Sequence, residues 1–182
     1  MERVLINELK ENESSKISGW ADVIRDTKYM VFVILKDRSG SIQVSIDKEK
    51  DKEIVEKLSG ILANSVLSFT GKMVKSEYVK QGGKEFLPEV VEVLSSADAI
   101  PIDSSANIDT RLDYRWIDLR SEKNNLMFQV QTAFVTGMRE FLIKEDFTEI
   151  HTPKLIGAAS ESGSDVFEVK YFDRKAYLAQ SP

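Results

Sequence analysis

Between residues 29 and 46 the chain carries two short apolar blocks of different character. Residues 29–35 (YMVFVIL) are almost wholly apolar, whereas residues 41–46 (SIQVSI) switch from polar to apolar at every step. A period of two marks a β-strand with one buried face, and the Asp37-Arg38-Ser39-Gly40 stretch between the blocks has the composition of a turn. Residues 17–24 (ISGWADVI) add a third segment rich in β-branched and aromatic side chains, set off by the polar residues 25–28. The pattern predicts a three-strand meander. In residues 50–58 (KDKEIVEKL) Ile54, Val55 and Leu58 recur at helical spacing, and Gly60 follows where a helix-terminating glycine belongs. Residues 65–74 (SVLSFTGKMV) and 85–94 (EFLPEVVEVL) return to strand character around Gln81-Gly82-Gly83, with Pro88 signalling an edge or a bulge.

The resulting order, β-β-β-α-β-β, is that of the OB-fold, a five-stranded barrel with one helix whose outer face commonly binds oligonucleotides. SH3-like barrels and irregular α+β domains share parts of that order. Residues 95–106 (SSADAIPIDSSA) break the pattern and read as a linker or hinge. Beyond them Met127, Val130, Phe134, Met138, Phe141 and Leu142 recur at spacings of three and four. They predict an amphipathic helix over residues 124–145, about six turns at about 3.6 residues per turn. Residues 147–150, 166–169 and 176–178 read as further strands. The sequence divides into a barrel (1–102), a hinge (103–120) and the opening of a second, α+β domain (121–182).

Composition narrows the chemistry. The 182 residues are 42% hydrophobic and 30% charged, enough apolar material for a packed core. With no cysteine and a single histidine, His151, thiolate zinc sites, disulfide scaffolds and cysteine nucleophiles are excluded, and Ser-His-Asp catalysis is disfavoured. No metal-ligand set is predicted. No apolar run approaches the roughly 20 residues that span a bilayer, and the first residues lack the apolar core of a signal peptide. A cytoplasmic protein without membrane partners is expected. The net charge is −5, with 15 Lys+Arg against 17 Asp+Glu in residues 1–102 and 10 against 13 in the remainder. A nucleic-acid role must therefore rest on local placement of charge rather than on the net field.

Four ordered segments carry a resemblance. Residues 111–120 (RLDYRWIDLR), 147–154 (FTEIHTPK), 159–167 (ASESGSDVF) and 176–182 (AYLAQSP) resemble, in order and spacing, the aspartyl-tRNA synthetases of archaeal/eukaryotic type, within class IIb of the aminoacyl-tRNA synthetases. In the barrel, Gly19-Trp20, Ile24-Arg25-Asp26 and residues 32–43 are similar to that family's anticodon-binding domain. Ser162 stands where the family usually has glycine, and Ser stiffens a loop relative to Gly. The resemblance implies an aspartate-tRNA ligase that uses ATP and Mg²⁺ to activate aspartate and then charges tRNA-Asp, with tRNA-Asn an additional acceptor in some members. It also implies that most of the catalytic domain lies outside these residues, so that the 182-residue chain by itself is expected to be inactive. A non-catalytic tRNA-binding or dimerisation module is the alternative, and an asparaginyl-type enzyme is disfavoured by Gln180-Ser181-Pro182.

By the same resemblance Arg25, Phe32, Gln43 and Glu85 contact the anticodon, Phe32 by stacking. The residues alone leave Phe32 open between barrel packing and stacking, Gln43 and Arg25 open as ordinary surface groups, and Glu89 an alternative to Glu85. Glu161, Gln180 and Ser181 correspond to the aspartate pocket, with Glu161 meeting the substrate ammonium. The 124–145 helix, with Phe134, and Pro153 correspond to the motif that joins two subunits in a homodimer. His151 reads as a structural or surface residue, not a catalyst.

Overall fold

Strand β1 (Ser14–Asp26) pairs antiparallel with β2 (Met30–Lys36), which pairs antiparallel with β3 (Ser41–Asp47). Strands β4 (Val66–Lys75) and β5 (Lys84–Ser95) form a long hairpin. Antiparallel pairing of β1 with β4, and a short parallel pairing of β3 with β5, close the five strands into a barrel in the order β1-β2-β3-β5-β4. The computed structural model describes residues 2–79, 82–103, 105–158 and 166–179. Their contacts resolve two compact units, one running to Ala106 and one starting at Asn107.

Alternation of the side chains along β2 and β3 sets the barrel interior. Val31, Val33 and Leu35 of β2 and Ile42, Val44 and Ile46 of β3 point inward and are at most 7% exposed, joined by Ile17, Leu67, Phe69 and Phe86, all at 0%. Burial of a side chain of this size stabilises by about 1.5–3 kcal/mol. Helix α1 (Lys52–Leu58) contributes Ile54 and Leu58, one turn apart, to the same core and packs against β3 and β5. Its chain then turns at Gly60, φ +75°.

Bulges in β1 and β5 reset this alternation. In β1, Ala21 pairs with Leu35 but Val23 pairs with Ile34, so Asp22 is an extra residue. Inward positions therefore shift from the odd residues Ile17 and Ala21 to the even residue Ile24, which packs on the core. Arg25, which strict alternation would send inward, faces outward opposite Phe32. In β5, Val90 pairs with Thr70 and Pro88 with Gly71, leaving Glu89 as the extra residue, as the position of Pro88 predicts. The strands approach closely there: a Cβ on Gly71 would lie 2.1 Å from the Leu87 carbonyl oxygen.

The second unit differs from its sequence-based description in three places. The stretch 103–120, expected as a hinge, contains two short helices, α2 (Ile108–Asp113) and α3 (Arg115–Asp118). Asn107 caps the first, its side chain accepting from the Thr110 N–H at 2.9 Å. The long helix α4 runs over Glu122–Lys144, beginning two residues earlier than its periodicity suggests. After it the chain reverses at Asp146, φ 64°, and residues 147–150 form no strand, contrary to expectation. They have no ladder partner among the described residues; instead Glu149 is held to α4 by Arg139 at 2.9 Å. A three-stranded sheet, in the order β6 (Leu155–Ile156), β8 (Arg174–Leu178), β7 (Glu168–Tyr171), completes this unit.

Candidate nucleic-acid interface

Four strands deliver Arg25, Phe32, Gln43 and Glu85 to one patch on the outside of the barrel. Strand register does the placing: Arg25 lies opposite Phe32, Phe32 opposite Ser45, and Gln43 opposite Glu85. A polar run then crosses the strands. Arg25 Nη2 donates to Gln43 Oε1 at 3.4 Å, a long contact; Gln43 Nε2 donates to Ser45 Oγ at 3.2 Å; and Ser45 Oγ donates to Glu85 Oε2 at 2.5 Å. The Arg25 guanidinium carbon sits 5.5 Å from the centre of the Phe32 ring, within cation–π range.

This arrangement settles the position of Phe32 in the fold. Its neighbours Val31 and Val33 fill the barrel, while Phe32 itself is half-buried on the outer face. Of the two glutamates considered at the sequence level, Glu85 joins the run, and Glu89 is the exposed bulge residue of β5. Ser45, only 4% exposed, is the residue whose part was missed: it is the hinge pin between Gln43 and Glu85. Its signal was available, since Gln43 and Ser45 are two apart in an alternating strand and so share a face.

Chemically, the patch offers a flat aromatic ring beside an ordered series of donors and acceptors. A guanidinium has five N–H donors, a primary amide both donates and accepts, and a carboxylate accepts at two oxygens. That is the equipment for stacking one unpaired base and reading the edges of its neighbours. Among the described residues no group of three or more His, Asp or Glu comes together to hold a metal ion.

In the second unit a polar cluster gathers on Asp118, whose side chain is 5% exposed. Arg111 Nε donates to its carboxylate at 2.7 Å, Arg115 Nη1 donates to the other oxygen, and Asn124 Nδ2 donates to its backbone carbonyl at 3.2 Å. The Arg111 hydrogen bond, with Arg115 adding its charge, holds the Asp118 carboxyl below its ordinary pKa. The cluster ties α2, α3 and the start of α4 together; sequence reading noted these residues only for their resemblance. Phe134 and Pro153 are exposed, as is His151. Glu161, Gln180 and Ser181 lie outside the described residues.

Comparison with known proteins separates the chain at the same place. Residues 16–94 match the OB-fold nucleic acid binding domain and residues 107–182 match the class II tRNA synthetases (D, K and N). The "Aspartate--tRNA(Asp/Asn) ligase" of Methanopyrus kandleri is 40% identical over 95% of this chain and 41% of the relative. The "Aspartate--tRNA(Asp) ligase" of Picrophilus torridus is also 40% identical, over 99% of this chain and 43% of the relative. The chain thus spans about two fifths of the length of the curated relatives it matches. Asparaginyl-tRNA synthetase from Pyrococcus horikoshii, solved with asparaginyl-adenylate, superposes with a TM-score of 0.89 at 28% identity, covering 100% of this chain and 43% of that one. A putative aspartyl-tRNA synthetase from Leishmania major superposes at 0.83 with 30% identity, covering 97% and 37%.

Proposed function

We propose that the barrel binds the anticodon of an aspartate tRNA and that the protein is an aspartate-tRNA ligase. The observation that carries the binding half is the continuous run from Arg25 through Gln43 and Ser45 to Glu85 beside the half-buried Phe32. Phe32 stacks one base; Arg25 and Gln43 meet base edges or the backbone; Glu85 accepts from a base amino group. Both curated relatives described above are aspartate ligases, which supports aspartate over asparagine although a well-superposed structure is an asparaginyl enzyme.

The catalytic half would join aspartate to ATP, with Mg²⁺ assisting, to give an aspartyl-adenylate and pyrophosphate, and would transfer the aspartyl group to the tRNA 3′ end with release of AMP. In the reading adopted here Glu161 meets the aspartate ammonium, Gln180 and Ser181 line the pocket, and the exposed apolar face of α4 with Pro153 receives a second copy of the chain.

The test is affinity of the 182-residue chain for an anticodon stem-loop at fixed salt. Stacking is worth about 1–3 kcal/mol per base, so Phe32→Ala should weaken binding about tenfold or more with little change in melting temperature. Gln43→Ala should weaken it less and relax the preference for the aspartate anticodon. Unaltered affinity in Phe32→Ala, or unfolding with affinity retained, overturns the anticodon reading.

A further inference from the structure

Resting on that reading of the barrel, we propose that Ser45 is a positioning residue. It locks the Gln43 amide in one of its two orientations, so that Gln43 tells a keto base from its amino counterpart at one anticodon position. The lock follows from what each member of the run can do. A guanidinium only donates, an ionised carboxylate only accepts, and a serine hydroxyl has one proton to give. Ser45 Oγ gives that proton to Glu85 Oε2 at 2.5 Å, so toward Gln43 it can only accept. Gln43 therefore turns Nε2 to Ser45, at 3.2 Å, and Oε1 to Arg25 Nη2. The hydrogen bonds all run one way, from Arg25 to Glu85.

The buried end of the run holds this order. Ser45 is 4% exposed and Glu85 is half-buried, whereas Arg25 is exposed and its contact with Gln43 is long at 3.4 Å. A hydrogen bond to a carboxylate is the stronger kind, and it strengthens further where water is excluded. Register puts Ser45 in its place. It lies two residues from Gln43 on one face of β3, Gln43 pairs with Glu85 on β5, and Phe32 stands opposite Ser45 on β2.

Orientation matters because the bases differ by the same exchange that an amide flip makes. Uracil and guanine carry a carbonyl oxygen where cytosine and adenine carry an amino group. The adjoining ring nitrogen switches with it, from donor to acceptor. The locked amide keeps one lone pair of Oε1 and one hydrogen of Nε2 for a base, in a fixed order along the patch. That order fits one member of a keto–amino pair and sets donor against donor and acceptor against acceptor with the other. Without the Ser45 hydroxyl both orientations are open, and Gln43 accepts either member.

The experiment measures binding of the full 182-residue chain to an anticodon stem-loop and to three versions of it, each with one triplet base exchanged for its keto or amino counterpart. The unaltered chain should reject one exchanged loop by about tenfold or more. In Ser45→Ala that rejection should fall to about twofold or less, because binding to the exchanged loop tightens. The original loop should lose only about twofold, since an amide free in two orientations is correct about half of the time. Tighter binding of a wrong loop is a change that loss of structure does not produce. Ser45→Thr should keep the rejection, and Ser45→Val, of the same shape without the hydroxyl, should lose it. In a Gln43→Ala background Ser45→Ala should change nothing further. Rejection that is undiminished in Ser45→Ala and Ser45→Val, lost equally in Ser45→Thr, or still altered by Ser45→Ala in the Gln43→Ala background overturns the lock. If the unaltered chain rejects no exchanged loop, the lock falls; the anticodon reading stands where Phe32→Ala weakens binding and falls with the lock where it does not.

Discussion

Helix α4 and the barrel strands use similar apolar side chains to opposite effect. Across β2 and β3 the inward residues from Val31 to Ile46 are at most 7% exposed, yet the large apolar residues of α4 from Leu126 to Ile143 are 41–68% exposed. The difference lies in what each element has to pack on. A closed barrel brings the buried faces of its strands onto one another, so that β2 needs only β1 and β3 beside it and β4 and β5 across from it. A single amphipathic helix has no such recourse; its stripe is buried only by another element. The largest effect expected from this contrast appears when the two units are made separately. Residues 1–106 should give dispersed amide signals and a cooperative melt, and residues 107–182 should not. A sharp cooperative transition in the second unit alone would show that α4 finds adequate cover within it.

A smaller effect is expected where the exposed stripe is charged. Met127, Val130, Phe134, Met138 and Phe141 fall on one side of α4, a contiguous apolar surface of the kind that drives association. Placing a carboxylate in its middle, Phe134→Glu, should weaken self-association at least about tenfold, which is about 1.4 kcal/mol. The melting of the barrel should be unaltered. Sedimentation over a range of concentrations checks this. Association that survives the substitution would place the contact elsewhere on the chain.

The contrast also explains what could be read from the sequence and what could not. Strand β3 was legible from its period-two alternation and β2 from an apolar run rich in β-branched residues, and the α4 stripe was legible because 23 residues give many repeats of its period. The parity change at Asp22 was not legible. Nothing in ISGWADVI separates a bulge from a straight strand, and the outward position of Arg25 depends on it. Residues 147–150 looked like a strand because they have strand residues, but a strand also needs a neighbour, and local pattern does not say whether one exists. Helices α2 and α3 are too short for periodicity to register; the Asn107 cap was their one local signal. For the patch, the identities of Arg25, Phe32, Gln43 and Glu85 came from resemblance. Their joining through Ser45 is a property of register across four strands, which no single segment encodes.

The last expected effect tests how the barrel closes its own end. Asp37, in the β2–β3 turn, has a side chain 1% exposed. Its Oδ1 accepts from Ser39 N–H, Ser39 Oγ and Gly40 N–H at 2.7, 2.6 and 3.1 Å, and its Oδ2 accepts from Ile6 N–H at 3.0 Å, with Arg3 at 3.9 Å. One carboxylate thus shapes the turn and fastens the N-terminal 3₁₀ turn, Ile6–Glu8, over the barrel end. Burial pushes its pKa up, but the Ser39 hydroxyl and the N–H groups of Ile6, Ser39 and Gly40 together outweigh burial and hold it below the ordinary 3.8. Because the folded-state pKa is depressed, the carboxylate stabilises the fold fully above about pH 4, and that contribution is lost as pH falls through the folded-state value. Asp37→Ala should therefore cost at least about 1.5 kcal/mol at neutral pH, the lower end for hydrogen bonds to a charged group. Urea unfolding of both proteins at a series of pH values should show a gap that is constant from neutral pH down to about 4 and narrows below it. A gap that widens on acidification would mean that Asp37 favours its protonated form in the fold, and the closure of this end would then have to come from Ile6 packing on the core rather than from the carboxylate.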